Sequence, residues 1–209
     1  MPQYSEIQTR LALKVGESQN ADGAIIDGRS GKQGDLIVSG LHGKFTEQAL
    51  RGNVYSACNQ AAVAITAALA TTYTGFVISN PATSGYNLAV LEAGFAAAAA
   101  MAAGAVGLMY GTTSSAIAAA ITPVNRKLGG KGSVAVVDDG STLPSTPVLL
   151  QVIGEVGSVA TTSYGTVGPH ICKLDGSLII PPGYYVAFYH TAGHTAAIVC
   201  HMVWEEIPV

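Results

Sequence analysis

The stretch GFAAAAAMAAGAVGLMYG, Gly94–Gly111, holds eight alanines and no charge, and the reading it receives decides the fold. Three readings compete: a membrane span, a buried helix, or parts of two strands. The uncharged run from Ala93 to Asn125 is long enough to cross a bilayer. Its content is wrong for that. Insertion is driven by Leu, Ile, Phe and Val, each worth about 0.3–0.6 kcal/mol, and between Ala93 and Gly111 only Phe95, Val106 and Leu108 qualify. No basic cluster flanks the run to set an orientation, so no membrane partner is expected. Alanine is the best helix former, which keeps a helix over Phe95–Met101 open. The neighbours favour strands. In YNLAVLEAG, Tyr86–Gly94, Leu88 and Val90 alternate with Asn87 and Ala89, and GAVGLMYG is short, apolar and bounded by glycine. The stretch therefore reads as the tail of one strand, a small-residue connection and the head of the next. Small side chains suit places where two backbones or subunits approach closely.

Outward from there the same grammar repeats. Further short apolar segments are AAVAITAAL (Ala61–Leu69), TGFVISN (Thr74–Asn80), GSVAVVDD (Gly132–Asp139), PVLLQVI (Pro147–Ile153), SLII (Ser177–Ile180), YYVAFYH (Tyr184–His190) and AAIVCHMVW (Ala196–Trp204). Turn formers such as NPATSG, DDGST, PPG and TAG separate them. Eight or nine strands in one run predict an all-β sandwich or barrel, and a jelly roll is the preferred form. The last two strands read as a hairpin around HTAGHT with two largely apolar faces. One face fills the core; the other needs a cover. Tyr185, Tyr189, Val199, His201, Val203 and Trp204 are the expected oligomer interface, in a homotrimer.

The charges divide the chain. Of ten basic and thirteen acidic residues, twelve precede residue 55. Met1–Val54 reads as an extended N-terminal arm with one short strand, DLIVSGL (Asp35–Leu41), and a helical turn near TEQALRG (Thr46–Gly52). Such a segment cannot bury enough apolar surface alone to offset its ordering entropy. The jelly-roll β-sandwich is expected over 55–209. Charged residues are 11% of the chain, against ~25% in typical globular proteins, so much of the surface is expected to be hidden against partners. A net charge of −3 offers no basic balance for nucleic acid. Cys58, Cys172 and Cys200 are odd in number and without metal-site spacing, and read as three buried thiols. The opening MPQYSEIQTR lacks the apolar segment of a signal peptide, so synthesis in a cytoplasm is expected.

Candidate chemistry is sparse. His190, His194 and His201 lie close in sequence, but HTAGH makes a turn, and neither HExxH nor the HxH of a cupin metal site occurs. Asp138–Asp139 precedes Gly140 and reads as a turn. Glu205 and Glu206 point to opposite sides of a strand and suit a solvated or subunit-bridging strand end. GxSxG is absent, and LGGKG (Leu128–Gly132) is an exposed loop flanked by Arg126 and Lys127, not a phosphate-binding loop. No catalytic residue, metal ligand or cofactor is expected.

Two blocks carry a family resemblance. GDLIVSGLHGKFTEQALRGNVYSACNQAAVAITAALATTYTGFVISNP, with the closing GSLIIPPGYYVAF and VWEEIPV, resembles segments of virion structural proteins of tailed bacteriophages. The resemblance covers Gly34–Asn80 and Asp175–Val209 and leaves about Ala93–Pro169 unmatched. It implies a virion component on the phage head surface: a trimeric capsid decoration, or cement, protein whose partners are itself and the major capsid protein. In that role Arg29, Lys32, Lys44 and Arg51 pair with acidic capsid surface, and Leu36, Val38, Leu41 and Phe45 supply most of the anchoring energy. The alternative is a trimeric tail or fibre component that binds a host receptor or glycan, with Tyr110 and Tyr164 as sugar-facing aromatics.

Overall fold

The computed structural model describes residues 43–65, 69, 75–99, 101–113, 117–156 and 169–209. The compact body begins at Phe45, upstream of the expected boundary after Val54, and runs to Val209. It opens with one short helix, α1 (Thr46–Leu50), and continues as β1 (Val54–Cys58), β2 (Val63–Ile65), β3 (Val77–Asn80), β4 (Tyr86–Ala97) and β5 (Gly104–Thr112). The remaining strands are β6 (Val124–Asn125), β7 (Val136–Asp138), β8 (Val148–Val156), β9 (His170–Ile180), β10 (Tyr184–His190) and β11 (His194–Pro208).

The strands form two packed sheets. One has the order β6-β1-β11-β4-β9, with β2 also on β11; the other has the order β7-β3-β10-β5-β8. Every pairing among the described residues is antiparallel. With β1, β11, β4 and β9 facing β3, β10, β5 and β8, this is the eight-stranded jelly roll. The expected terminal hairpin is not present: β10 and β11 lie in different sheets, and Thr191–Gly193 carries the chain across the sandwich. Short Gly-containing turns serve a crossing between sheets as well as a hairpin, so the local letters are the same for both.

The core sits between the sheets. Tyr55 and Trp204 stack with centroids 6.2 Å apart, and Phe76 meets Phe188 edge-on at 5.8 Å. Ile78, Leu88, Val90, Val106, Leu108 and Met202 fill the space around them. The alanine stretch adopts the strand–connection–strand form: β4 ends at Ala97 and β5 starts at Gly104. Its glycines answer to close neighbours. A Cβ at Gly107 would lie 2.5 Å from the Gln151 carbonyl oxygen. One at Gly94 would strike the His201 ring and stand 2.9 Å from the His170 carbonyl oxygen.

Buried polar side chains tie the crossings together. Asn59 Nδ2 donates to the Ile198 carbonyl, and the Cys200 N–H donates to Asn59 Oδ1 at 2.6 Å. Asn80 Nδ2 donates to the carbonyls of Tyr86 and Ile180. Asn125 Nδ2 donates to the carbonyls of Gly52 and Lys131, while its Oδ1 accepts from the Lys127 N–H. Each satisfies backbone groups that the sheets leave unpaired.

Candidate functional site

The expected interface residues fall on two sheets, Tyr185 and Tyr189 on β10 and Val199, His201, Val203 and Trp204 on β11, and the structure sorts them into three groups. The first is enclosed within the protomer. Trp204 and Tyr185 have no exposed surface, which removes both from an oligomer interface. Trp204 belongs to the Ile198, Cys200, Met202 series that faces inward along β11. Tyr185 donates its hydroxyl to the Ser145 carbonyl at 2.6 Å, in the connection between β7 and β8 that also buries Leu143.

The second group is covered by the helix. Val203 forms a small apolar cluster with Val54 and Leu91, and Phe45 and Ala49 pack over it. Part of the apolar face expected to need a second molecule is thus closed by the chain itself. Local chemistry fixes α1 there. Glu47 and Arg51 pair at 2.9 Å one turn apart. Gly52 takes a left-handed φ of 74°, and the N–H groups of Gly52 and Asn53 bond back to the carbonyls of Ala49 and Gln48. This is the Schellman ending, which glycine favours.

The third group is accessible. Tyr189, Val199 and His201 are half-buried. His201 Nε2 lies 3.0 Å from Glu92 Oε1, and Lys173 Nζ lies 2.5 Å from Glu92 Oε2. Glu92 and Lys173 are opposite each other in the β4–β9 register, and His201 reaches the same carboxylate from β11. Hydrogen bonding from the Lys173 ammonium, and secondarily from His201, holds the Glu92 carboxyl below the usual range despite its partial burial. Glu92 in turn raises the Lys173 ammonium. Sequence reasoning missed Glu92 and Lys173 because they are 81 positions apart; only the register joins them.

Beside His201 a cleft of about 680 Å³ opens, lined by Ser56, Cys58, Thr122, Arg126 and Asp139 among others. Cys58 faces His201 in the β1–β11 register, so thiol, imidazole and the Glu92 carboxylate follow one another in the order of a nucleophile, base and orienting acid. The surroundings of the thiol shift it away from the thiolate. It bonds to the Asn59 carbonyl at 3.3 Å, and burial pushes its pKa up, whereas a reactive cysteine needs the opposite shift. Cys58 is nonetheless exposed, against the expectation of three buried thiols; Cys172 is half-buried and Cys200 fully buried.

The other candidates resolve into structural parts. His190 is buried on β10, in the opposite sheet from His201, and accepts the Ala192 N–H at 3.0 Å. Asp138 is buried and accepts from the N–H groups of Ala120 and Gly140. Glu206 turns inward, against the expectation of a solvated or subunit-bridging position, and accepts from Ser133 Oγ at 2.5 Å and the Val134 N–H at 2.9 Å. Arg29, Lys32, Leu36, Val38, Leu41, the DLIVSGL segment and Tyr164 lie outside the described residues. Among the described residues no three His, Cys, Asp or Glu side chains form a metal-binding group, and no helix is long and apolar enough to cross a membrane. No family model, curated protein or solved structure matches this chain.

Proposed function

We propose that this chain is a virion structural protein of a tailed bacteriophage, a capsid decoration protein that trimerises and stabilises the head by bridging neighbouring capsid subunits. The observation that carries the reading is the junction at Phe45. A segment rich in charge leads into a helix fastened by Phe45 and Ala49 over Val54, Leu91 and Val203 of a charge-poor jelly roll. A cement protein requires such a fixed body and a segment that reaches a neighbour. The resemblance of the two sequence blocks to virion proteins supports the same reading and supplies the location.

Binding in this role rests on many small contacts in repeated copies, where avidity multiplies weak affinity. Arm cations such as Arg29 and Lys32 contribute about 0–1 kcal/mol each if exposed. Leu36, Val38 and Leu41 carry more, at about 1.5–3 kcal/mol for each side chain fully buried.

The test is gold-labelled antibody imaging of intact particles. Label spread over the head is expected. Label confined to the tail rejects decoration in favour of a receptor-binding tail or fibre component. Removal of Met1–Lys44, which spares α1, is expected to leave a folded body that no longer binds capsid. Retained binding would dismiss the arm as the anchor.

A further inference from the structure

We infer that the side of the sandwich edged by β8 and β9 is where copies of this chain meet. The inference rests on the reading that the protein works as an oligomer, though not on where in a particle it works. It moves the self-contact away from β10 and β11, where α1 covers Val203 and the protomer's own core encloses Trp204 and Tyr185.

Among the described residues, strand β8 ends its sheet, pairing only with β5, and β9 ends the other, pairing only with β4. They are the longest edges of the two sheets, at nine and eleven residues. Along β8, Val148, Leu149, Leu150 and Val152 are 39–58% exposed; on β9, Ile171 and Ile179 are 51% and 44% exposed. Long apolar edges are the elements that soluble proteins ordinarily shorten, charge or cover. Six side chains exposed to this degree leave on the order of 500 Å² of apolar surface over the two edges, most of it on β8, with Lys173, Asp175 and Ser177 between the two isoleucines of β9. Contact between two copies doubles this to about 1,000 Å², the lower limit of a specific interface.

The charges fit a second copy. Glu155 is the one charge on β8, three residues from the centre of the strand, so antiparallel apposition of two β8 strands places no acid against its like. On β9 the Lys173 ammonium is already engaged by Glu92. Glu155, Lys173 and the exposed Asp175 of β9 mix both signs and leave the two edges too weakly charged to select a charged macromolecule, while β8 meets its own copy with matching apolar side chains. Register shifts between Val106 and Gly107 and between Leu108 and Met109 break the β5–β8 ladder. Bulges of this kind interrupt regular strand addition, so the contact is a packing of side chains more than a continuous sheet.

The experiment is sedimentation of the full chain at micromolar concentration, with Val152→Lys and Leu150→Lys on the edge. Leu128→Lys, at a position 85% exposed in the loop after β6, is the control. All three replace exposed side chains, and unchanged circular dichroism and urea midpoints establish that they fold. The wild type and Leu128→Lys are expected to sediment as one oligomer. Each edge variant should associate more weakly by roughly a hundredfold or more, since a buried lysine there has no partner. A monomeric wild type overturns the inference; if hydrogen exchange then finds β8 protected, another segment of the same chain covers it. An oligomer that survives both edge substitutions overturns it equally. A dimer keeps the interface and refutes the trimer. An oligomer with tail-only labelling keeps the interface and refutes decoration.

Discussion

The two open sides of the sandwich are built by opposite means. On one side the edges are β6 and β7, of two and three residues, and the chain closes over them with its own polar side chains. Asn125 holds Gly52, Lys127 and Lys131 together, and Glu206 receives Ser133 and the Val134 amide. On the other side β8 and β9 run nine and eleven residues and show aliphatic side chains to the outside. A short edge needs few hydrogen bonds to satisfy it, and a buried asparagine and glutamate supply them. A long aliphatic edge has no such internal remedy, since its unmet need is for apolar cover. The difference sets a side closed by the chain's own polar groups against a side whose described residues leave aliphatic side chains exposed, and the proposed self-contact falls on the second.

The severest way to break the closed side is from beneath. Trp204 stacks on Tyr55, and Tyr55 belongs to β1, the strand on which β6 rests. Trp204→Ala is expected to cost about 3–5 kcal/mol, the range for emptying a large aromatic site, read as a lowered urea midpoint. Trp204→Phe is the sharper comparison. The indole N–H has no acceptor among the described residues, so the ring's volume matters more than its polar atom, and a loss below about 1.5 kcal/mol is expected. Equal losses for both variants would show that the N–H is bonded after all.

A smaller break separates the loop from the core. Asn125→Ala leaves the Gly52 and Lys131 carbonyls and the Lys127 amide without their side-chain partner. Its cost is expected at about 1–3 kcal/mol. A local readout accompanies it: trypsin should cut faster after Arg126, Lys127 and Lys131 in the variant than in the wild type, while β8 variants leave that cleavage unchanged. Acceleration by Val152→Lys would mean that the two sides are not independent.

How much of this was legible in the sequence depends on the range of the information each feature uses. The strands were legible because their signals are local: alternation in YNLAVLEAG, glycine boundaries around GAVGLMYG, and turn letters between segments. The helical turn at TEQALRG was legible for the same reason, with Gly52 as its stop. Strand β1 was passed over, since VYSAC mixes polar and apolar residues and has no run of its own; its partners β11 and β6 make it a strand. The sheet assignment of neighbouring strands was illegible where HTAGHT serves a crossing as well as it serves a hairpin. Interface residues failed for a related reason. Alternation along β11 places Trp204 with Cys200 and Met202, yet Val203 faces outward only to be covered by Phe45, from an element more than 150 positions away. The cover over Tyr185 likewise comes from Ser145. Of the candidate site, His201 was named from its place on the outward face of the last strand, and its partners Glu92 and Lys173 appear only when the register is known.

The smallest effect belongs to that cluster, which shares β9 with the open side. Lys173, then His201, stabilises the charged form of Glu92, so the carboxyl titrates lower in the folded protein than in the unfolded chain. Its contribution is therefore complete above the ordinary glutamate value of about 4.3. It is lost as pH falls through the lower folded value, where the folded state must take up a proton it resists. Because Lys173 stands in solvent and Glu92 is only partly covered, the contribution is expected to stay below about 1 kcal/mol. Asp139 and Glu205 act in the opposite sense, since burial holds both carboxyls above their usual range. The absolute acid limb therefore mixes signs, and the useful quantity is the difference between wild type and Glu92→Gln. The gap between their urea stabilities should narrow steadily from pH 5 to pH 3 and shrink in high salt. A difference, wild type minus variant, that rises toward acid would mean that Glu92 is a burden on the fold and that its carboxyl titrates above the ordinary value.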